Sequence, residues 1–207
     1  MEKSIFFFRK HPNRTTENFV HHYINNHAPL GKKLTQGLRG YTVNIVDGDG
    51  FPAAVTEHWV VPDVMHLLTP AQAYKSMEDF QQVLVDDQSL FSGFELYVVT
   101  EENIMVAGTP IDSALEQRTP GIKLIQTFAD ADNVPPPHSR ACRVVDNLVA
   151  HQLVMTDSYD WEKVESAARI IRMSWFPDME SVGEDTGDAL YASEYCFIGA
   201  PSSWGGS

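Results

Sequence analysis

VTEHWVVPD, residues 55–63, has a counterpart far downstream in IRMSWFPD, residues 171–178. In each, a short apolar run reaches Trp, then one or two apolar residues, then Pro-Asp and an amphipathic segment. Pro cannot donate to a sheet ladder but fits the first helical turn, and Asp favours a helix N-terminus. Each stretch therefore reads as a strand-to-helix junction, and two of them in one chain indicate an internal duplication.

The flanks repeat in the same order. GYTVNIV (40–46) and VVDNLVA (144–150) precede the two Trp residues, and each carries a central Asn. FELYVV (94–99) and SEYCFI (193–198) follow, each with a Glu ahead of its apolar run. SIFFFRK (4–10) and GIKLIQTFA (121–129) open the halves. The first half reads β-α-β-β-α-β, the ferredoxin-like pattern, in which helices cover one face of a four-stranded sheet. The expected division is a repeat over 1–104, a linker over 105–120 and a degenerate repeat over 121–200. Gly108, Pro110 and Pro120 punctuate the segment 101–120, which should run over the surface. A bare apolar sheet face needs a second sheet, so the two halves should close face to face into one α+β barrel.

Composition narrows the function classes. Hydrophobic content of 43% and charged content of 21% fit a soluble globular chain. A formal charge of −13 excludes nucleic acid and anionic membranes as partners, because both demand a basic surface. No signal peptide or long apolar run is evident, and Cys142 and Cys196 read as buried free thiols, so a cytoplasmic location is expected. His21 and His22 are adjacent and point to different sides of a helix, which leaves no metal-site spacing. Neither a phosphate loop nor a nucleophile elbow is present.

TENFVHHYINNHAPLGKKL reads as a helix capped by Thr15 or Thr16, with Phe19, Tyr23 and His27 on one face. Pro29 should end or bend it near His27. A second helix should start at Pro62 and break near Thr69-Pro70. In the second half NVPPPHSR (133–140) forbids an ordinary first helix, 178–188 makes a short acidic second one, and the tail around Trp204 should be mobile.

F-x-x-x-Y-x-x-x-H-A-P-L, spanning Phe19, Tyr23, His27, Ala28, Pro29 and Leu30, resembles the EthD domain of the dimeric α+β barrel superfamily. EHWVVPD and the acidic DDQSLF (86–91) fit the same template, and the resemblance covers most of residues 3–104. It implies a small barrel acting without metal or organic cofactor, among relatives that include monooxygenases, cyclases, dehydratases, decarboxylases and proteins of no known activity. The fold alone selects none of these. The motif is missing from the second half, which implies at most one full site per chain.

His27 is the first candidate general acid/base, and bracing the sheet is its alternative role. Tyr23, one turn earlier, can donate to the same substrate oxygen. On β-strand parity, Tyr41, Val43 and Ile45 should meet the helices, whereas Asn44, His58, Asn147, His151 and Arg172 should gather as a polar patch in an apolar cavity. His58 is the second catalytic candidate. Should the faces be inverted, Glu57 becomes the base beside Trp59. The leading expectation is an enzyme, a cofactor-free lyase (dehydratase, decarboxylase or cyclase) acting on a small aromatic or polyketide-like molecule. A cofactor-free monooxygenase and a non-catalytic small-molecule binder are the alternatives, and a homodimer is left open.

Overall fold

The computed structural model describes residues 1–107, 114–156, 160–183 and 188–199. Among these described residues are nine strands: β1 (Glu2–Lys10), β2 (Leu38–Val46), β3 (Ala54–Val60), β4 (Phe91–Val106), β5 (Ile122–Phe128), β6 (Arg143–Met155), β7 (Trp161–Val164), β8 (Ile170–Phe176) and β9 (Leu190–Ile198). They form one antiparallel sheet in the order β4-β1-β3-β2-β9-β5-β8-β6-β7. Pairing of β4 with β6 closes eight of them into a barrel, and the short β7 hangs on the far end of β6. The helices are α1 (Thr16–His22), α2 (Ala28–Leu34), α3 (Val64–Leu68), α4 (Pro70–Ala73), α5 (Met77–Leu90) and α6 (Met179–Val182). No helix among the described residues is long and apolar enough to cross a membrane.

Strand parity sets the two faces. Ile5, Phe7, Val55, Tyr97, Val99, Ile125, Val145, Ile171, Met173 and Trp175 come from both halves and fill the barrel interior. Phe19, Tyr23 and Ala28 pack with Tyr41, Val43 and Ile45 on the outer face, as the all-apolar side of β2 required. The register recurs across the halves: Lys3 pairs with Trp59 and Val99, and Lys123 pairs with Trp175 and Ala192. Asn44 donates to Val55 O and Asn147 to Ile171 O, each at 2.9 Å.

Several expectations need correction. Pro62 and Pro177 do not enter a helix. They precede Asp63 and Asp178, which are the N-caps, accepting from His66 N at 3.0 Å and Ser181 N at 2.8 Å. Each cap is worth about 1 kcal/mol to its short helix. Pro29 does not end the first helix either. A π-helical turn over Tyr23–His27 links α1 to α2, with Ala28 N–H bonding back to Tyr23 O, so the widened turn carries the chain past the missing proline donor. His27 therefore sits mid-helix. β4 runs on to Val106 against β6, and along the described part of 101–120 Thr119 is the one buried residue. Residues 108–113, the 184–187 part of the acidic segment and the tail with Trp204 lie outside the described residues. Between β5 and β6 no helix forms among the described residues, as the three prolines dictate.

Gly121 makes the tightest approach, ahead of β5. Its φ is +89°, and a Cβ there would lie 2.2 Å from Phe176 O. Gly121→Ala is expected to cost about 2 kcal/mol or more, from backbone strain and the clash together. An unchanged urea midpoint would contradict this.

Candidate functional site

Thr15 caps α1, with its side chain accepting from Asn18 N, and the π turn then rotates His27 toward α5. Ser76 caps α5 in the same way, and that helix brings Asp86 and Asp87 alongside. His27 Nδ1 lies 2.8 Å from Asp86 Oδ2, and His22 Nε2 lies 2.7 Å from Asp86 Oδ1. His27 Nε2 is 3.4 Å from Asp87 Oδ1. Beneath the helices, β3 presents Thr56 and His58, and β2 presents Tyr41. The His58 ring stacks on Tyr41 at 4.7 Å and meets Phe6 edge-on at 5.2 Å, while His27 meets Tyr23 at 5.1 Å and Phe91 at 5.4 Å. The Tyr23 hydroxyl lies against those of Tyr41 and Thr56.

Electrostatics give each group a protonation state. Burial, reinforced by His27 and opposed by Glu57, pushes His58 down to about 3, so its imidazole is neutral at ordinary pH. Its Nδ1 is buried without a hydrogen-bond partner. Burial raises Tyr23 and Tyr41 well above the usual tyrosine range, so both keep their hydrogens. Partial burial raises Asp87 to about 6, with Asp86 adding to the shift and His27 opposing it. Burial also works against the Asp86 carboxylate, but the hydrogen bonds from His27 and His22 prevail and hold it below its ordinary value. The set combines a histidine backed by carboxylates, a neutral histidine and two phenols. Such a set can move a proton and hold a developing oxyanion.

A pH dependence of stability follows from His58. Between the unfolded value of about 6.5 and the folded value of about 3, the unfolded chain binds a proton that the folded chain refuses. Stability therefore falls as pH drops through that window, with a contribution approaching about 1.4 kcal/mol per pH unit. His58→Gln should flatten the urea-midpoint profile there and leave it unchanged above the window. An equally steep profile would contradict the assignment.

The expected site residues do not share one space. Tyr23, His27 and His58 lie together between the helices and the outer sheet face. Asn44, Glu57, Trp59 and Asn147 lie on the opposite face, inside the barrel. Paired residues share a face, and Asn44 pairs with Val55 whereas Tyr41 pairs with His58. Arg172 is on the outer face of the second half, bound bidentately to Asp146 at 2.7 and 2.8 Å. His151 does not share the face of Asn147. The β4–β6 register slips between Val98–His151 and Val99–Val149, which turns His151 outward beside Lys163 and Glu2.

The interior holds a second polar cluster that the sequence reading missed. Lys3 Nζ lies 2.7 Å from Glu57 and 2.6 Å from Glu101, and 4.4 Å above the Trp59 ring. Lys123 bonds Glu57 and also Glu194 at 2.9 Å, and lies 4.3 Å above the Trp175 ring. Arg143 approaches Glu101 at 3.7 Å. Burial opposes ionisation of Glu57, yet Lys123 and Lys3 overcome it and hold the carboxyl far below its usual range. Glu57 is thus a fully engaged ion, which leaves it little basicity to act as the base beside Trp59. A lysine inside each opening apolar strand was the available signal. For Asp86 and Asp87 it was an acidic pair within an amphipathic helix. No group of three or more His, Cys, Asp or Glu among the described residues is placed to hold a metal ion.

No protein-family model matches the chain, and no curated protein matches it in sequence. Solved structures of similar fold include a candidate monooxygenase of Lactobacillus acidophilus NCFM, with TM-score 0.51 and 8% identity over 96% of both chains. They also include an anthrone oxidase-like protein, with TM-score 0.50 and 7% identity over 98% of this chain and 95% of that one. Identity this low speaks for the fold alone, an α+β barrel whose eight antiparallel strands among the described residues close within one chain.

Proposed function

We propose that the chain is a cofactor-independent enzyme that removes a proton from a carbon acidified by a carbonyl, either beside it or conjugated to it through an aromatic ring, in a small aromatic or polyketide-like compound. The observation that carries this reading is the run of contacts from His27 through Tyr23 and Tyr41 to His58, a neutral imidazole whose buried Nδ1 has no hydrogen-bond partner. His27 takes the proton. Neutral His58, with the protonated Tyr23 and Tyr41, donates to the developing enolate oxygen. A neutral donor suits this task because it stabilises the oxyanion without first surrendering a charge.

From the enolate, loss of a leaving group gives a lyase, and this remains the leading reading. Attack on molecular oxygen gives a monooxygenase. The names of the two structural neighbours favour that second reading, and both routes share the proton-abstraction step. Asn44, Glu57, Trp59, Asn147, His151 and Arg172 have no part in this scheme, since they lie away from the two histidines.

The HAPL element, where the π turn passes into α2, supports an EthD-like first half, and the recurring register supports a tandem duplication. In that reading the second half has lost its first helix and its own site. Cys142 and Cys196 form no disulfide, which suits a cytoplasmic protein, and a homodimer is compatible with this scheme.

Thermal denaturation with a panel of phenolic and anthrone-type ketones tests the binding half of the proposal. A ligand at a hundredfold excess over its Kd should stabilise the protein by about 2.7 kcal/mol. His58→Ala should reduce that shift. A panel without any shift would count against the proposal, and binding without chemistry would identify a ligand-binding module instead.

A further inference from the structure

We infer, building on the reading of His27 as the base, that Asp86 decides which nitrogen of His27 acts, by keeping a hydrogen on Nδ1 and leaving the Nε2 lone pair for the substrate. Three observations carry this. First, Asp86 Oδ2 is 2.8 Å from His27 Nδ1, a hydrogen-bond distance, whereas Nε2 faces Asp87 only at 3.4 Å. Second, Asp86 is held below the usual carboxylate range, so at neutral pH it is ionised and can only accept. The hydrogen in that contact must then belong to Nδ1, and a neutral imidazole has just one. Third, His22 Nε2 holds the other carboxylate oxygen at 2.7 Å, so any rotation of the carboxylate would break one of two contacts. Asp86 does not touch the reacting atoms. It is a positioning residue, and α5 thereby contributes to a site whose motif lies on the first helical segment.

Asp87 pulls the other way, because its carboxylate near Nε2 favours a hydrogen there. The longer contact, and a side chain that keeps 42% of its surface exposed, make it the weaker of the two. The two carboxylates thus compete for the position of one proton, and the distances favour Asp86.

Long-range proton–nitrogen correlation spectra of ¹⁵N-labelled protein, recorded where the ring is neutral, read this directly. The His27 signals are assigned by their loss in His27→Gln. The wild-type protein should show a pyrrole-type Nδ1 and a pyridine-type Nε2. Asp86→Asn, whose amide can donate to Nδ1, should reverse the pattern or give a mixture, and Asp86→Glu should restore it. His22→Gln should leave it in place. A pyridine-type Nδ1 in the wild-type protein would overturn the inference, as would an unchanged pattern in Asp86→Asn. Should Asp86→Asn not fold, the wild-type pattern alone decides.

The activity readout is proton exchange on anthrone. Asp86→Asn should slow it at least about a hundredfold, with recovery in Asp86→Glu, because the wrong tautomer presents no lone pair. Full activity in Asp86→Asn with a reversed tautomer would overturn the positioning role. A wild-type protein with the expected tautomer but no exchange would instead remove the proposed function and leave the tautomer assignment standing.

Discussion

Glu57→Gln is expected to destabilise the barrel by about 3–5 kcal/mol, the cost of leaving buried charge uncompensated. Glu57 bridges Lys3 of the first half and Lys123 of the second, and only 2% of it is exposed. Without it, the three cations Lys3, Lys123 and Arg143 keep Glu101 and Glu194 as carboxylate neighbours, so positive charge is left in excess among apolar walls. The pH dependence has a definite sign. The folded-state value of Glu57 is depressed, so its stabilisation is present above the unfolded value of about 4.3 and is lost as pH falls through the folded one. Lys123 is raised, because its contacts with Glu194 and Glu57 outweigh burial, so its share persists below about 10.4 and is lost as pH rises through the folded value. The difference between wild type and Glu57→Gln should therefore shrink in strong acid. Adding Lys123→Met should recover part of the loss, since an apolar replacement of a whole buried pair is often neutral. Strictly additive losses in urea unfolding would contradict the uncompensated-charge explanation.

His27→Ala is expected to slow proton transfer at least about a hundredfold, the usual contribution of a positioned general base. Ligand affinity should stay within about tenfold if the group acts mainly in the transition state. His58→Ala should affect both quantities, because it removes the ring that is proposed to hold the substrate oxygen from the ground state onward. Equal loss of affinity and turnover in His27→Ala would mean that His27 binds rather than reacts.

Much of this architecture was legible in the sequence, for physical reasons. Strands announce their buried faces by alternation, and Tyr41, Val43 and Ile45 did so correctly. Trp59 and Trp175 each stand one residue before the end of their strands, where the apolar run ahead of Pro-Asp placed them. The site was harder, because parity within one strand says nothing about which face of the next strand it joins. Asn44 and His58 were each read on a consistent face of their own strand. Only the pairing of Tyr41 with His58 shows that those two faces are opposite. A single slip in the β4–β6 register displaced His151, and no residue type marks that slip. Pro29 was read as ending or bending the helix near His27, and the sequence carries no sign of the π turn that lets the helix run on. Asp86 and Asp87 entered the sequence reading only within DDQSLF, as part of the EthD-like template, and their role shows only where α5 places them against His27.

The most direct measurement is deuterium exchange at the methylene carbon of anthrone, in anaerobic deuterated buffer, followed by proton NMR. Excluding oxygen isolates the proton-abstraction step that the lyase and monooxygenase readings share. The account predicts signal loss faster than in buffer alone, saturating with anthrone concentration and returning to the buffer rate in His27→Ala. Exchange at the buffer rate with wild-type protein, under conditions where anthrone demonstrably binds, would contradict the assignment of His27 and His58 as an acid/base pair.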